Sequence, residues 1–313
     1  MCRVSQRNGG SIVSRNRNLV VLMALAWSWA FSLVPPVHCD LPRILVWVES
    51  LQNTEELEIR RPVALASGAN DELVVADAHS PRLIVCRRIG VTWQLQRAIE
   101  LPSAPIALVH DGRRYIASLR GRGDLLSFEG IDKMQQTLIS LPEGTLPGQL
   151  AAEITGSLLV FDLAREKLLR VDTQGRVQKE LPLGAGLTAL ASTPGGGFVI
   201  TNAGEGSVQW FGPDWQPGGR WVLPSEGPVP AWPVGIAVEP NGSLDIVDRH
   251  GGRILVIDAT GKPEGAGSRR GWESGLLLFP AAIDRLGNGN LVVADEGNGR
   301  VQIFRRVDGI QPP

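Results

Sequence analysis

The chain has 313 residues, 43% apolar and 20% charged, with 31 basic against 32 acidic side chains. That balance lacks the clustered positive charge a nucleic-acid backbone demands. The 37 Gly and 22 Pro lie scattered between apolar runs, which speaks for many turns rather than a disordered tail.

At the N-terminus, Arg3, Arg7, Arg15 and Arg17 precede the 16-residue apolar stretch LVVLMALAWSWAFSLV (Leu19–Val34), followed by PPVHCD. The stretch is shorter than the roughly 20 apolar residues of a membrane span. The layout predicts a secretory signal peptide over residues 1–39, cut before Asp40 with Val37 and Cys39 at the recognised positions; an uncleaved anchor is the alternative. Loss of 1–39 leaves 27 basic against 32 acidic residues, a net of −5, with Cys86 as the remaining cysteine. An exported chain of this kind has no internal disulfide and depends on an apolar core. The expected location is extracytoplasmic, secreted or periplasmic, with membrane attachment only if the N-terminal segment is retained.

From residue 40 to 313 one frame recurs: an apolar run ending in Asp, four small or polar residues, a basic residue, and a second apolar run. LVVADAHSPRLIV has Asp77 and Arg82, LLVFDLAREKLLRVD has Asp162 and Lys167, DIVDRHGGRILVID has Asp248 and Arg253, and NLVVADEGNGRVQIF has Asp295 and Arg300. FVITNAGEGSVQWF offers Asn202 and Ser207, and YIASLRGRGDLLSF offers Ser118 with one extra loop residue before Asp124. The markers at 77, 118, 162, 202, 248 and 295 are 41, 44, 40, 46 and 47 apart. Ahead of most lies a short run, often opened by Pro, and a turn such as HDG, EPNGS or LGNG.

Short apolar runs between turn signals, with no sustained 3.6-residue period, predict an all-β fold. Four strands per unit at this spacing is the period of a propeller blade, since a lone blade cannot bury both faces. The prediction is a six-bladed β-propeller of four-stranded antiparallel blades at about 60–101, 104–142, 146–183, 186–224, 232–278 and 279–306. The last unit runs out of chain after three strands, near Arg305, so the N-terminal strand 41–49 is expected to supply its fourth and close the ring. The Gly-rich insertion Ala259–Gly275 reads as an exposed flexible loop. Asn241-Gly242-Ser243 is a sequon, but it sits where a turn wants Asn and Gly in any case.

PVGIAVEPNGSLDIVDRHGGRILVIDATG and FPAAIDRLGNGNLVVADEGNGRVQIF resemble NHL repeats, in which a Pro-led strand, a Gly turn, an apolar strand ending in Asp and an Arg-led strand succeed one another. The resemblance is clear in units five and six, fair in one and degraded in two to four. It implies a six-bladed propeller, and no single activity, because propellers host many functions. Some relatives resembling this repeat are lyases with His ligands beside the Pro opening an inner strand. Here those places hold Val63, Ile106, Val234 and Ala281, while His79, His110 and His250 fall on two opposite rims. A calcium-dependent lactonase would need oxygen ligands at the inner-strand mouths, which instead present Arg61, Ala104, Leu146, Gly186, Trp232 and Phe279. No GxSxG occurs, and Cys86 lies within an apolar strand.

No catalytic constellation is evident, and no cofactor or metal is expected. The Asp–Arg pairs read as cross-strand charge pairs that fix loop geometry. What remains is surface: the loops between second and third strands share one rim and carry His79, Arg120, Arg122, Arg165, Glu205, Arg249, His250 and Glu296, with Trp232 near the mouth. These are the candidate binding residues for a protein or peptide. Trp210, Trp215, Trp221 and Trp232 crowd one stretch, so a glycan is a further candidate ligand, as is packing between blades. The expectation is a monomeric binding or scaffolding module, the alternative a metal-dependent lyase or lactonase/hydrolase of the propeller type.

Overall fold

The computed structural model describes residues 41–69, 71–129, 135–225 and 228–311. The predicted signal segment, 1–39, lies outside them. Strand β1 (Arg43–Ser50) comes first, and four separate four-stranded sheets follow in chain order. They comprise β2 (Pro62–Ser67), β3 (Glu72–Asp77), β4 (Arg82–Ile89) and β5 (Thr92–Glu100); β6 (Pro105–His110), β7 (Arg114–Leu119), β8 (Asp124–Glu129) and β9 (Gln135–Ser140); β10 (Pro147–Ala152), β11 (Leu158–Asp162), β12 (Lys167–Val171) and β13 (Val177–Pro182); and β14 (Leu187–Ser192), β15 (Phe198–Asn202), β16 (Ser207–Phe211) and β17 (Pro217–Val222).

The remaining strands are β18 (Pro233–Val238), β19 (Leu244–Asp248), β20 (Arg253–Ile257), β21 (Pro263–Gly267), β22 (Ala282–Arg285), β23 (Leu291–Asp295) and β24 (Arg300–Gln311). With β1 they form one eight-stranded closing sheet in the order β18-β19-β20-β21-β1-β24-β23-β22. Its two halves meet at a single parallel pairing, Arg43 with Ala266. The described helical structure is one 3-10 turn, Glu296–Asn298. The fold is an all-β propeller: four blades plus the closing sheet.

The N-terminal strand lies antiparallel to β24, with Val46 opposite Arg305 and Trp47 opposite Phe304. β24 continues past Arg305 to Gln311, further than the repeat frame predicts. The predicted flexible loop at Ala259–Gly275 is also corrected. Pro263–Gly267 is strand β21, paired with β20, and its Gly265 and Gly267 allow β1 to approach closely, since added Cβ atoms there would collide with Ile44 and Leu45.

Burial peaks at the second strands, with the innermost strands partly open to the axis and the outermost to solvent. β11, β19 and β23 are buried at every residue, whereas β9, β13 and β17 are mostly exposed. Continuous apolar runs suit strands covered on both faces, and polar runs suit outer edges. Apolar clusters sit between neighbouring sheets. Val74, Ala76 and Leu83 pack with Tyr115, Ala117 and Phe128, and Leu65, Val75 and Ile84 pack with Val292, Val301 and Ile303, joining the first sheet to the last. The innermost strands β2, β6, β10, β14, β18 and β22 neighbour one another in a closed ring.

Candidate rim site

Innermost strands all begin on one rim, where the loops between second and third strands also emerge. The recurrent Asp builds that rim. Asp77 accepts backbone N–H groups of Arg60, Arg61 and His79 at 3.0, 3.1 and 2.9 Å. Asp162 accepts those of Leu146 and Ala164 at 3.0 Å each, Asp248 that of Trp232 at 2.9 Å, and Asp295 that of Leu278 at 2.7 Å. Each carboxylate thus ties the chain arriving from the previous repeat to its own hairpin, beyond the cross-strand pair that the spacing implies. Where Ser118 stands instead, its hydroxyl donates to Gly148 O at 2.6 Å and accepts from Ala107 N–H at 3.2 Å.

The predicted basic partner holds in three repeats, with Arg82–Asp77 at 3.4 Å and Arg253–Asp248 and Arg300–Asp295 at 2.9 Å. In the third sheet Asp162 pairs with Arg165 at 2.9 Å, while Lys167 turns outward to Glu180 at 3.1 Å. The left-handed conformation of Glu166, φ 53°, curls the loop so that the guanidinium reaches back.

Of the predicted rim residues, Trp232, Arg249, His250 and Glu296 come together. The Trp232 and His250 rings lie 4.8 Å apart at 30°. Arg249 donates to Glu296 at 2.7 Å and to Phe279 O at 3.0 Å, and Arg61 donates to the other oxygen of Glu296 at 2.9 Å. The mouth therefore holds an Arg–Glu–Arg bridge from the first sheet to both halves of the closing sheet. His79 stands apart, 3.4 Å from Arg60. Arg122 pairs with Asp124, Arg165 with Asp162, and Glu205 with Arg220, each within its own sheet or loop. Arg120 is exposed.

Beside the assembled group opens a cleft of about 570 Å³ lined by Val229, Asp248, His250, Gly251, Arg269, Arg270 and Phe279. Phe279 has φ 47°, a strained conformation for an aromatic residue, and lies beneath two guanidiniums, Arg249 at 5.7 Å and Arg270 at 4.8 Å from the ring. Gly252, φ 62°, lets the segment Arg270–Leu277 cross the hairpin, since a Cβ there would meet Leu277 O at 2.5 Å. Arg269 and Arg270 are exposed and make no ion pair with a described residue. Two residues on, Trp272 is 77% exposed, against 39% for Trp232. Arg269, Arg270, Trp272 and Phe279 escape sequence reasoning because they sit in a Gly-rich insertion. The signal available was the pair of adjacent arginines followed by Trp in SRRGWESG.

Most of the Trp stretch serves packing. Trp215 is 2% exposed, edge-on to Phe198 at 5.2 Å, and Trp210 and Trp221 pack against the core between β16 and β20. Among the described residues no group of three or more His, Cys, Asp or Glu side chains gathers as a metal site.

The NHL repeat family model matches residues 277–304, which span β22 to β24. No curated protein sequence matches the chain. Among solved structures, a streptogramin B lyase is similar with a TM-score of 0.61 and 15% identity, over 84% of this chain and 98% of that one. A Bacteroides thetaiotaomicron VPI-5482 protein of unknown function gives 0.64 and 15%, over 83% and 75%. A catalytically inactive virginiamycin B lyase from Staphylococcus aureus with quinupristin gives 0.58 and 14%, over 84% and 87%. At such identities the likeness is one of fold.

Proposed function

We propose that this NHL-repeat β-propeller is an exported binding module that recognises an acidic protein or peptide segment on the rim between the two halves of its closing sheet. One observation carries the reading: two arginines without ion-pair partners among the described residues, Arg269 and Arg270, line a cleft of about 570 Å³ whose His250 stacks on exposed Trp232, with exposed Trp272 two positions along the chain from Arg270. Trp and Arg are the residues that dominate interface energetics, and Arg pairs with carboxylates through two parallel hydrogen bonds. Export rests on the basic-then-apolar layout of residues 1–39. The closing sheet is read as two blades, β18–β21 and β22–β24 with β1, making six. The ring of six inner strands and the single pairing between the halves support that count.

The lyase alternative has the names of two structural neighbours in its favour. Among the described residues this rim gathers no group of three or more His, Cys, Asp or Glu side chains that could hold a metal.

An array of acidic and neutral peptides, probed with the fluorescently labelled protein, tests the reading. Acidic peptides with an apolar or aromatic residue are expected to bind. Arg269→Glu with Arg270→Glu is expected to lower that signal at least 10-fold, as loss of two charge-assisted contacts implies, while Arg120→Glu leaves it unchanged. Equal binding of acidic and neutral peptides overturns the proposal.

A further inference from the structure

A second cavity, of about 290 Å³, opens on the axis at the opposite rim, where the innermost strands end. The inner-strand ends that line it are apolar by residue type, but Leu65, Leu108, Leu150 and Leu190 are buried in the clusters between blades, so the surface the mouth exposes is mainly polar. Polar groups concentrate where the first, second and last repeats meet, at Ser67, His110, Asp284 and Arg285.

Asp284 is the centre of the polar wall. Its carboxylate accepts the backbone N–H of Ser67 at 2.6 Å and that of Arg285 at 2.8 Å, bridging β2 to β22. No cationic side chain pairs with it among the described residues. Arg285 points its guanidinium away, to Asp245, to Glu239 and to Gly289 O. Arg306 shares Glu239 and pairs with Glu264 at 2.6 Å. The two guanidiniums are thus taken up by three other carboxylates, Asp245, Glu239 and Glu264, and neither reaches Asp284. Burial lowers the affinity of His110 for a proton, so it stays neutral at neutral pH, and desolvation holds the Asp284 carboxyl above the usual carboxylate range. Glu72, Asp111 and Tyr115 also lie near this wall and add no positive charge, while Arg87 is bonded to Glu72 at 2.6 Å and Arg114 to Asp111 at 2.9 Å.

Two hydroxyls lack hydrogen bonds. Tyr115 is 2% exposed, its ring 4.6 Å from that of His110 and its hydroxyl against Gly68, without a partner among the described residues. Ser67 Oγ lies near enough to Asp284 to favour its charged form, yet makes no hydrogen bond of good geometry. Buried polar groups left unmade in this way are rare, and a carboxylate desolvated without a counter-ion is costly.

We propose that this axial mouth binds a small organic ammonium ion, a primary amine on a short carbon body, with the charge on Asp284 and the body between the ends of the inner strands. The ammonium supplies the counter-ion the wall lacks, and its donors match the free lone pairs of Asp284 and Ser67. The site is independent of the opposite rim.

Calorimetric titration of the full chain with n-hexylamine, n-hexanol and n-hexanoate at pH 7.5 tests it. Hexylamine is expected to bind at least 10-fold more tightly than hexanol, and hexanoate not at all. Asp284→Asn is expected to bring hexylamine down to the level of hexanol. Ala152→Leu narrows the cavity from the opposite wall without touching Asp284 and is expected to remove both ligands, which keeps the test decisive should the Asn variant misfold. Equal affinity for amine and alcohol, preference for hexanoate, or undiminished amine binding by Ala152→Leu overturns the proposal.

Discussion

Arg300 donates through Nε to the carboxylate of Asp295 at 2.9 Å and through its other end to the carbonyl oxygens of Glu273 and Leu276 at 2.6 and 2.9 Å. Asp295 is fully buried and also accepts from Asn298 and Gln302, which in turn bond Gly271 O and Leu276 O. A repeat-defining pair in β23 and β24 therefore fixes the loop that displays Trp272. Arg300→Ala strands a desolvated carboxylate and releases the loop, at an expected cost of about 3 kcal/mol. Urea unfolding measures the loss, and hydrogen exchange at Gly275–Leu278 should accelerate. Unchanged exchange there would mean that the loop holds itself.

Trp272 and Trp215 make opposite predictions. Trp272 is 77% exposed, so Trp272→Ala should alter stability by no more than about 0.5 kcal/mol. Trp215 fills the core beside Phe198 and Phe211 with Lys179 over its ring at 4.9 Å, and Trp215→Ala should cost roughly 3–5 kcal/mol. Denaturation midpoints of the two variants settle the matter. A large loss at Trp272 would make it a packing residue and weaken the rim reading.

The repeat was legible because each unit places Pro, a turn Gly and Asp at set offsets, and those residues have local backbone work to do. Long-range partners were not. Nothing near SRRGWESG announces that Arg300 and Asn298, more than twenty residues downstream, hold this Gly-rich segment in place. Asp284 reads as the tail of an apolar run, and its partner Ser67 is 217 positions away. Of the predicted rim residues, Arg122, Arg165 and Glu205 are taken up by neighbours within a few residues or across one hairpin, a local competition that a list of charges cannot rank.

Cys86 is fully buried in β4, and desolvation pushes its thiol far above the ordinary range. The thiolate is the reactive form, so the native protein should leave Cys86 unlabelled by iodoacetamide at pH 8, with full labelling in denaturant. Mass spectrometry of the peptide containing Cys86 reads the outcome. Rapid native labelling would show that β4 opens on the timescale of the reaction.

Asp245 is 1% exposed, with one oxygen on Arg285 and the other, Oδ1, without a partner among the described residues. Burial pushes its carboxyl up to about 7, Glu239 adds to the rise, and Arg285 and Arg306 oppose it. A raised folded value means that the folded state holds the proton more tightly than the unfolded chain. Its contribution is then complete below about pH 4 and is lost as pH climbs to about 7, by up to ~1.4 kcal/mol per unit. The raised Asp284 and Asp295 act in the same sense, whereas His110, held below its ordinary value, costs stability as pH falls below about 6.5 and opposes them from there down. The Asp245 part is isolated by difference. Asp245→Asn should be less stable than wild type near pH 4.5 and should close or reverse that gap by pH 7.5, as read by urea unfolding at each pH. A gap that stays constant across the range would show that Arg285 keeps Asp245 charged throughout.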